Sequence, residues 1–147
     1  MSKLASISAV LGIAMSSAIL ISSPSLAEQM KFKADMSASQ VVPPNDSAGK
    51  GTAHITFDTA SRTLSWTIEY SGLTGPVKAG HFHGPAGPGQ NGGVEVPLQK
   101  LKSPIKGSAT LAKDQAKALL DGKFYVNLHT AAHGDGEIRG QVVKAKM

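Results

Sequence analysis

The chain has 147 residues, no cysteine, and 15 Lys and Arg against 10 Asp and Glu, for a net charge of +5. The missing cysteine excludes disulfides, thiolate metal ligands, thiol nucleophiles and lipid attachment at a lipoprotein cysteine. The positive charge sits on scattered single residues from Lys31 to Lys146, Arg139 among them, with only 5% aromatics to interleave. It reads as a solvated basic surface with no nucleic-acid partner.

The first 27 residues have the three parts of a secretory signal: Lys3, an uncharged stretch from Leu4 to Ile21, and small residues before a cut at Ala27/Glu28. The stretch is nearly long enough to span a bilayer, but Ser6, Ser8, Ser16 and Ser17 weaken it as a span. Residues 1–27 are therefore expected to be a cleaved signal. Residues 28–147 are expected to be one periplasmic or secreted domain of about 120 residues, without a stable membrane span.

Short strand-like runs separated by turn residues fill this domain. Met30 to Ser37 is the first, and Pro43 to Gly49 is a loop. In Gly51 to Asp58, Ala53, Ile55 and Phe57 alternate with Thr52, His54 and Thr56; in Thr63 to Ser71, Leu64, Trp66, Ile68 and Tyr70 alternate with Ser65, Thr67 and Glu69. A period of two with one apolar face is the mark of a half-buried antiparallel strand. Val77 to His83 is the next strand, followed by the glycine- and proline-rich loop Gly84 to Gly93, which cannot sit in a central ladder. Val94 to Leu101 and Ile105 to Ala109 read as strands. Leu111 to Asp121 reads as a helix capped by Thr110 and stopped by Gly122. Lys123 to Thr130 and Glu137 to Val143 complete the set. The pattern predicts an all-β Greek-key or immunoglobulin-like sandwich, or a barrel, of about seven or eight antiparallel strands with one short helix. Its core is expected to hold Ile55, Phe57, Leu64, Trp66, Ile68, Phe82, Phe124, Val126, Leu128 and Ile138.

Four of the five histidines lie in two segments. His81 and His83 are alternate residues of a strand, so both imidazoles share a face, roughly 6–7 Å apart at the backbone. In the second segment Val126 and Leu128 have core parity, which turns Tyr125, Asn127 and His129 outward. If the two strands are neighbours, His81, His83 and His129 converge, with His133 as an optional fourth ligand and Asn127 orienting an imidazole through its second nitrogen. Neutral imidazoles suit copper, zinc or nickel. The bland alternative is an exposed polar face with hydrogen-bonded histidines. His54, alone among threonines, is expected at the surface. Loop Gly84–Gly93 should lie over or beside the histidines. Asp135 and Glu137 read as a solvated hairpin end. No nucleophile motif and no phosphate-cradling loop is present.

The segments Ala79-Gly80-His81-Phe82-His83-Gly84-Pro85-Ala86, Leu119 to Thr130 and Gly136-Glu137-Ile138-Arg139-Gly140-Gln141 together resemble the CHRD domain. That domain was first named in chordin and occurs in many bacterial exported proteins. The resemblance covers about residues 30–144. It implies an immunoglobulin-like or Greek-key β fold. Chordin binds growth factors of the bone morphogenetic type, a partner that an isolated domain need not share. A looser similarity runs to copper/zinc superoxide dismutase through the strand His-x-His, but it stops at His81 and His83.

Three functions compete on this reading. The first is a non-enzymatic exported binding module, its histidine patch holding copper or zinc and its partner an unidentified protein or envelope ligand. The second is a metal-dependent envelope enzyme, and the third a structural adhesion domain. No catalytic residue is assigned.

Overall fold

The computed structural model describes residues 18–23 and 26–146. The export-signal reading falls largely on residues 1–17 and 24–25, outside the described ones. Among the described residues no helix is long and apolar enough to cross a membrane.

Among the described residues nine strands and one α-helix follow in chain order, with a 3-10 turn at Ala38–Gln40: β1 (Gln29–Ser37), β2 (Lys50–Asp58), β3 (Thr63–Ser71), β4 (Val77–Gly84), β5 (Gly93–Pro97), β6 (Ile105–Thr110), α1 (Lys113–Leu120), β7 (Tyr125–Thr130), β8 (Ile138–Gln141) and β9 (Val143–Lys144). The sheet order is β5-β4-β7-β8-β1-β2-β3-β6, with β9 beside β1. This is one antiparallel sheet curled into a nearly closed barrel. The barrel is the alternative the chain takes, rather than two stacked sheets.

Period-two patterning decides what faces inward. Ile55 pairs with Trp66 and Phe57 with Leu64 across β2 and β3, and all four are buried. Trp66 of β3 meets Phe82 of β4 edge-on at 5.3 Å between ring centroids. Those strands are not neighbours in the sheet, so the contact runs across the barrel interior. Phe82 in turn packs on Phe124 at 6.4 Å. All ten expected core residues are buried, and His54 is exposed.

The structure differs from the expected elements in three places. The helix starts at Lys113, because Thr110 is still paired to Thr63 in β6 and cannot cap it. Leu111 is held in place by Arg62: its N–H donates to the Arg62 carbonyl at 2.8 Å, and its own carbonyl accepts from Arg62 Nε at 3.0 Å. The free N–H of Ala112 donates instead to Gln115 Oε1 at 2.8 Å. Strand β5 stops at Pro97, and Lys100 takes a left-handed conformation with φ 51°. The last predicted strand is split at Val142, whose N–H turns to the Phe124 carbonyl at 2.9 Å. Helix α1 does end as expected at Gly122, with φ 75°.

Candidate metal centre

Register places the histidines. In the β4–β7 ladder His81 is opposite Asn127, His83 opposite Tyr125 and His129 opposite Ala79. His129 is thus the diagonal neighbour of His81 on the same face of the sheet, and His83 is two residues along. Gly80, opposite Leu128, turns inward and must be small. A Cβ there would sit 2.9 Å from Leu128 Cδ2 and 3.0 Å from Leu98 Cδ1. The glycine lets β4 lie close to the core while its two histidines point away.

The ring centroids of His81 are 5.3 Å from those of both His83 and His129. One nitrogen from each ring falls within 4.8 Å of the other two. His83 Nδ1 is 3.1 Å from the Gly92 carbonyl and His129 Nδ1 is 2.8 Å from the Gly134 carbonyl. A carbonyl only accepts, so both Nδ1 atoms carry the proton and both Nε2 lone pairs are free. Those Nε2 atoms, together with His81 Nδ1, are buried and have no hydrogen-bond partner. Buried polar atoms are almost always satisfied. Three orphaned ring nitrogens from three strand positions are an arrangement that a cation completes. With metal–nitrogen bonds of about 2.0–2.1 Å, ligands of one ion stand about 3.4 Å apart.

Burial and the nearby His129 charge hold His81 below the ordinary imidazole range. For His83 burial is the largest effect and also lowers it. The Gly92 carbonyl partly opposes this, and the charges of His81, His129 and Arg139 add to the lowering. Both rings stay neutral, and able to bind a metal, in more acid solution than a free histidine would. The same shifts set a pH profile. The unfolded chain takes up these protons near pH 6.5 while the folded one resists. Stability should therefore be full above about pH 6.5 and fall as the pH drops through the lower folded values. Denaturation midpoints at pH 7.5, 6.5 and 5.5 check this. A flat profile, or one unchanged by His81→Gln with His83→Gln, contradicts it.

The other expected site residues are placed differently. His133 is not with the trio; its Nε2 lies 3.6 Å from Glu137 Oε1. Asn127 is adjacent but hydrogen-bonds to no imidazole. Its Oδ1 is buried without a partner, and its amide packs on Gly136, where a Cβ would come within 2.3 Å of it. Gly136 has φ 115°, so glycine is required there on both grounds. The orienting expected of Asn127 is done by the backbone carbonyls of Gly92 and Gly134.

The face carrying the trio is largely covered. Tyr125 and Asn127, expected outward, are 2% and 6% exposed. They do point away from the barrel interior, but a second layer covers them. Loop Gly84–Gly93 hydrogen-bonds to the trio through Gly92, which also exchanges hydrogen bonds with the Tyr125 hydroxyl. The tip of the loop runs toward Ser39–Pro44 and closes a cavity of about 350 Å³ with Arg139 and Gln141.

Two residues read as solvated are buried here, Glu137 (0% exposed) and Arg139 (1%). The Glu137 carboxylate accepts from Thr74 N at 3.0 Å, from the Thr74 hydroxyl, and from Thr130 Oγ1 at 3.0 Å. Burial pushes it up, but the Thr74 and Thr130 hydrogen bonds and the His133 charge outweigh that and hold it below the ordinary carboxylate range. Arg139 donates to the Gly87 carbonyl at 3.1 Å and to Asn91 Oδ1 at 3.3 Å. A signal for both was present: they flank core residue Ile138, so parity puts them on the histidine face.

The family model for the CHRD domain matches residues 32–142. No curated protein and no solved structure matches the chain.

Proposed function

Since the chain belongs to the CHRD-domain family, we propose that it is an exported, non-enzymatic binding module whose His81–His83–His129 face holds a copper or zinc ion. The observation that carries this reading is that His81, His83 and His129 each offer a nitrogen within 4.8 Å of the other two and each hold a buried ring nitrogen with no partner. The tautomers that the Gly92 and Gly134 carbonyls impose aim two of the lone pairs. A module of this kind meets a protein or envelope ligand rather than transforming a substrate.

Titrating Cu(II) and Zn(II) into metal-free, untagged protein at pH 7.5 should show one equivalent bound. His83→Ala and His129→Ala should each weaken binding by at least about 10–100-fold, the scale on which losing even a ligand's outer support acts. His133→Ala and His54→Ala should leave it nearly unchanged. Binding indifferent to both trio substitutions, or no stronger than at His54, refutes the site.

Export is part of the same proposal, with cleavage after Ala27. Glu28 is the first described residue hydrogen-bonded to the barrel, its N–H to Thr59 Oγ1 at 3.1 Å and its carbonyl to Thr59 N at 3.0 Å. Removing residues 1–27 would sever neither bond. N-terminal sequencing of the protein recovered from the cell envelope or medium should begin at Glu28. An intact Met1 in that fraction counts against cleavage.

A further inference from the structure

All three candidate ligands are imidazoles, none of which supplies a negative charge to an ion, and the fixed charge stacked behind them is positive. Tyr125 lies flat against His83, with ring centroids 4.9 Å apart and planes within 2°. The guanidinium carbon of Arg139 is 3.5 Å from the centroid of the same phenol ring. Strands β4 and β8 flank β7 on opposite sides, so the imidazole and the guanidinium take opposite faces of Tyr125. Arg139 is 1% exposed. Its partners, the Gly87 carbonyl, Asn91 Oδ1 and Gln141 Oε1, are all uncharged. Among the described residues no carboxylate pairs with it. The buried carboxylate of Glu137 faces Thr74, Thr130 and His133 and is not paired with Arg139.

We infer that the His81–His83–His129 site selects a monovalent over a divalent ion, so that it takes copper(I) in preference to zinc(II). This rests on the metal reading above and adds the charge state of the ion. The cost of burying an ion grows with the square of its charge, so a dication costs about four times as much as a monocation in the same surroundings. Anionic ligands normally offset that cost, and this set contains none. The Arg139 charge acts in the same direction. At roughly 10 Å and an effective dielectric of about 20, it disfavours each further unit of positive charge by roughly tenfold in affinity. Three nitrogens are also a full set for copper(I), whereas zinc takes a fourth ligand.

The test is a pair of affinities measured on untagged protein without oxygen at pH 7.5. Copper(I) is measured by competition with bicinchoninate, and zinc(II) by competition with a fluorescent chelator. Wild type should hold copper(I) at least 100-fold more tightly than zinc(II). Arg139→Gln should narrow that ratio by roughly tenfold, while Arg139→Lys should preserve it. Arg139 also clamps a loop, so Asn91→Asp supplies a second variant. It sets a carboxylate against the guanidinium that Asn91 already contacts and should narrow the ratio without removing the arginine. Zinc held more tightly than copper(I), or a ratio unmoved by both Arg139→Gln and Asn91→Asp, overturns the inference and leaves the metal site standing. Failure of both ions to bind removes the metal site as well.

Discussion

Trp66→Ala is expected to lower the unfolding free energy by about 3–5 kcal/mol, against a total of about 5–15 kcal/mol for a domain of this size. Trp66 is 6% exposed and pairs with Ile55 and Gly107 on its two flanking strands. It also reaches across the interior to Phe82 at 5.3 Å. Its loss opens a cavity at the point where the two ends of the sheet converge on the core. Gly107 cannot fill that space with its own backbone fixed, yet it lies so close to the indole that a Cβ there would come within 2.6 Å of Trp66 Cζ2. Trp66→Phe should cost far less, because the indole Nε1 is buried with no partner and removing it gives up no hydrogen bond. Urea denaturation of the three proteins decides the matter. Equal losses for Phe and Ala would show that the part of the indole beyond a single phenyl ring carries the stability, and a loss under about 1 kcal/mol for Ala would place Trp66 outside the working core.

Glu137→Ala should cost about 3–5 kcal/mol, the range for removing one member of a buried charged network. The substitution strands the Thr74 N–H and the Thr74 and Thr130 hydroxyls, which now converge on one carboxylate. It also frees the segment around Thr74 from the turn between β7 and β8, where Asn45 Nδ2 already ties to the carbonyls of Gly136 and Glu137. Glu137→Gln should lose less, since one amide oxygen still accepts, but its NH₂ faces donors and cannot serve them all. The pH dependence has a definite sign. Because the folded carboxyl is held below its ordinary value, its contribution is fully present above about pH 4.5 and is lost as the pH falls through the lower folded value. The Ala variant should therefore show a shallower acid limb than wild type. Parallel acid limbs would mean that Glu137 is not the titrating support of this turn.

The burial of Glu137 and Arg139 lies beyond what strand alternation encodes. Both flank Ile138, and their parity with the histidine face was legible. Parity says which side of a sheet a residue takes, but not whether that side meets water. Charged residues on the face away from a core are usually solvated. Here β7 is buried on both faces, from Tyr125 through Leu128, because a loop from one strand connection and a turn from another fold over it. Asn127 was misassigned for a related reason. Its position beside His81 followed from register, but the partner of its amide depended on how closely Gly136 approaches. His133 was placed by its distance in sequence from His129, whereas its imidazole faces Glu137.

By itself the sequence determined the strands, the inward set and the two histidine strands. Alternation at period two is a local constraint, and burying one face of each strand satisfies it in only one phase. It was also sufficient for the common face of His81, His83 and His129, given adjacent strands, and for the family to which the chain belongs. Only the tertiary structure decided that β4 and β7 are neighbours, with His129 diagonal to His81. It also decided that the backbone carbonyls of Gly92 and Gly134 orient the imidazoles, and that Arg139 stands behind Tyr125 as an uncompensated charge. The first depends on a pairing between segments 40 or more residues apart, and the others on the path of the loops and turns that fold over β7. Neither leaves a periodic trace in the chain, because a main-chain carbonyl can be supplied by any residue and a covering loop by many sequences.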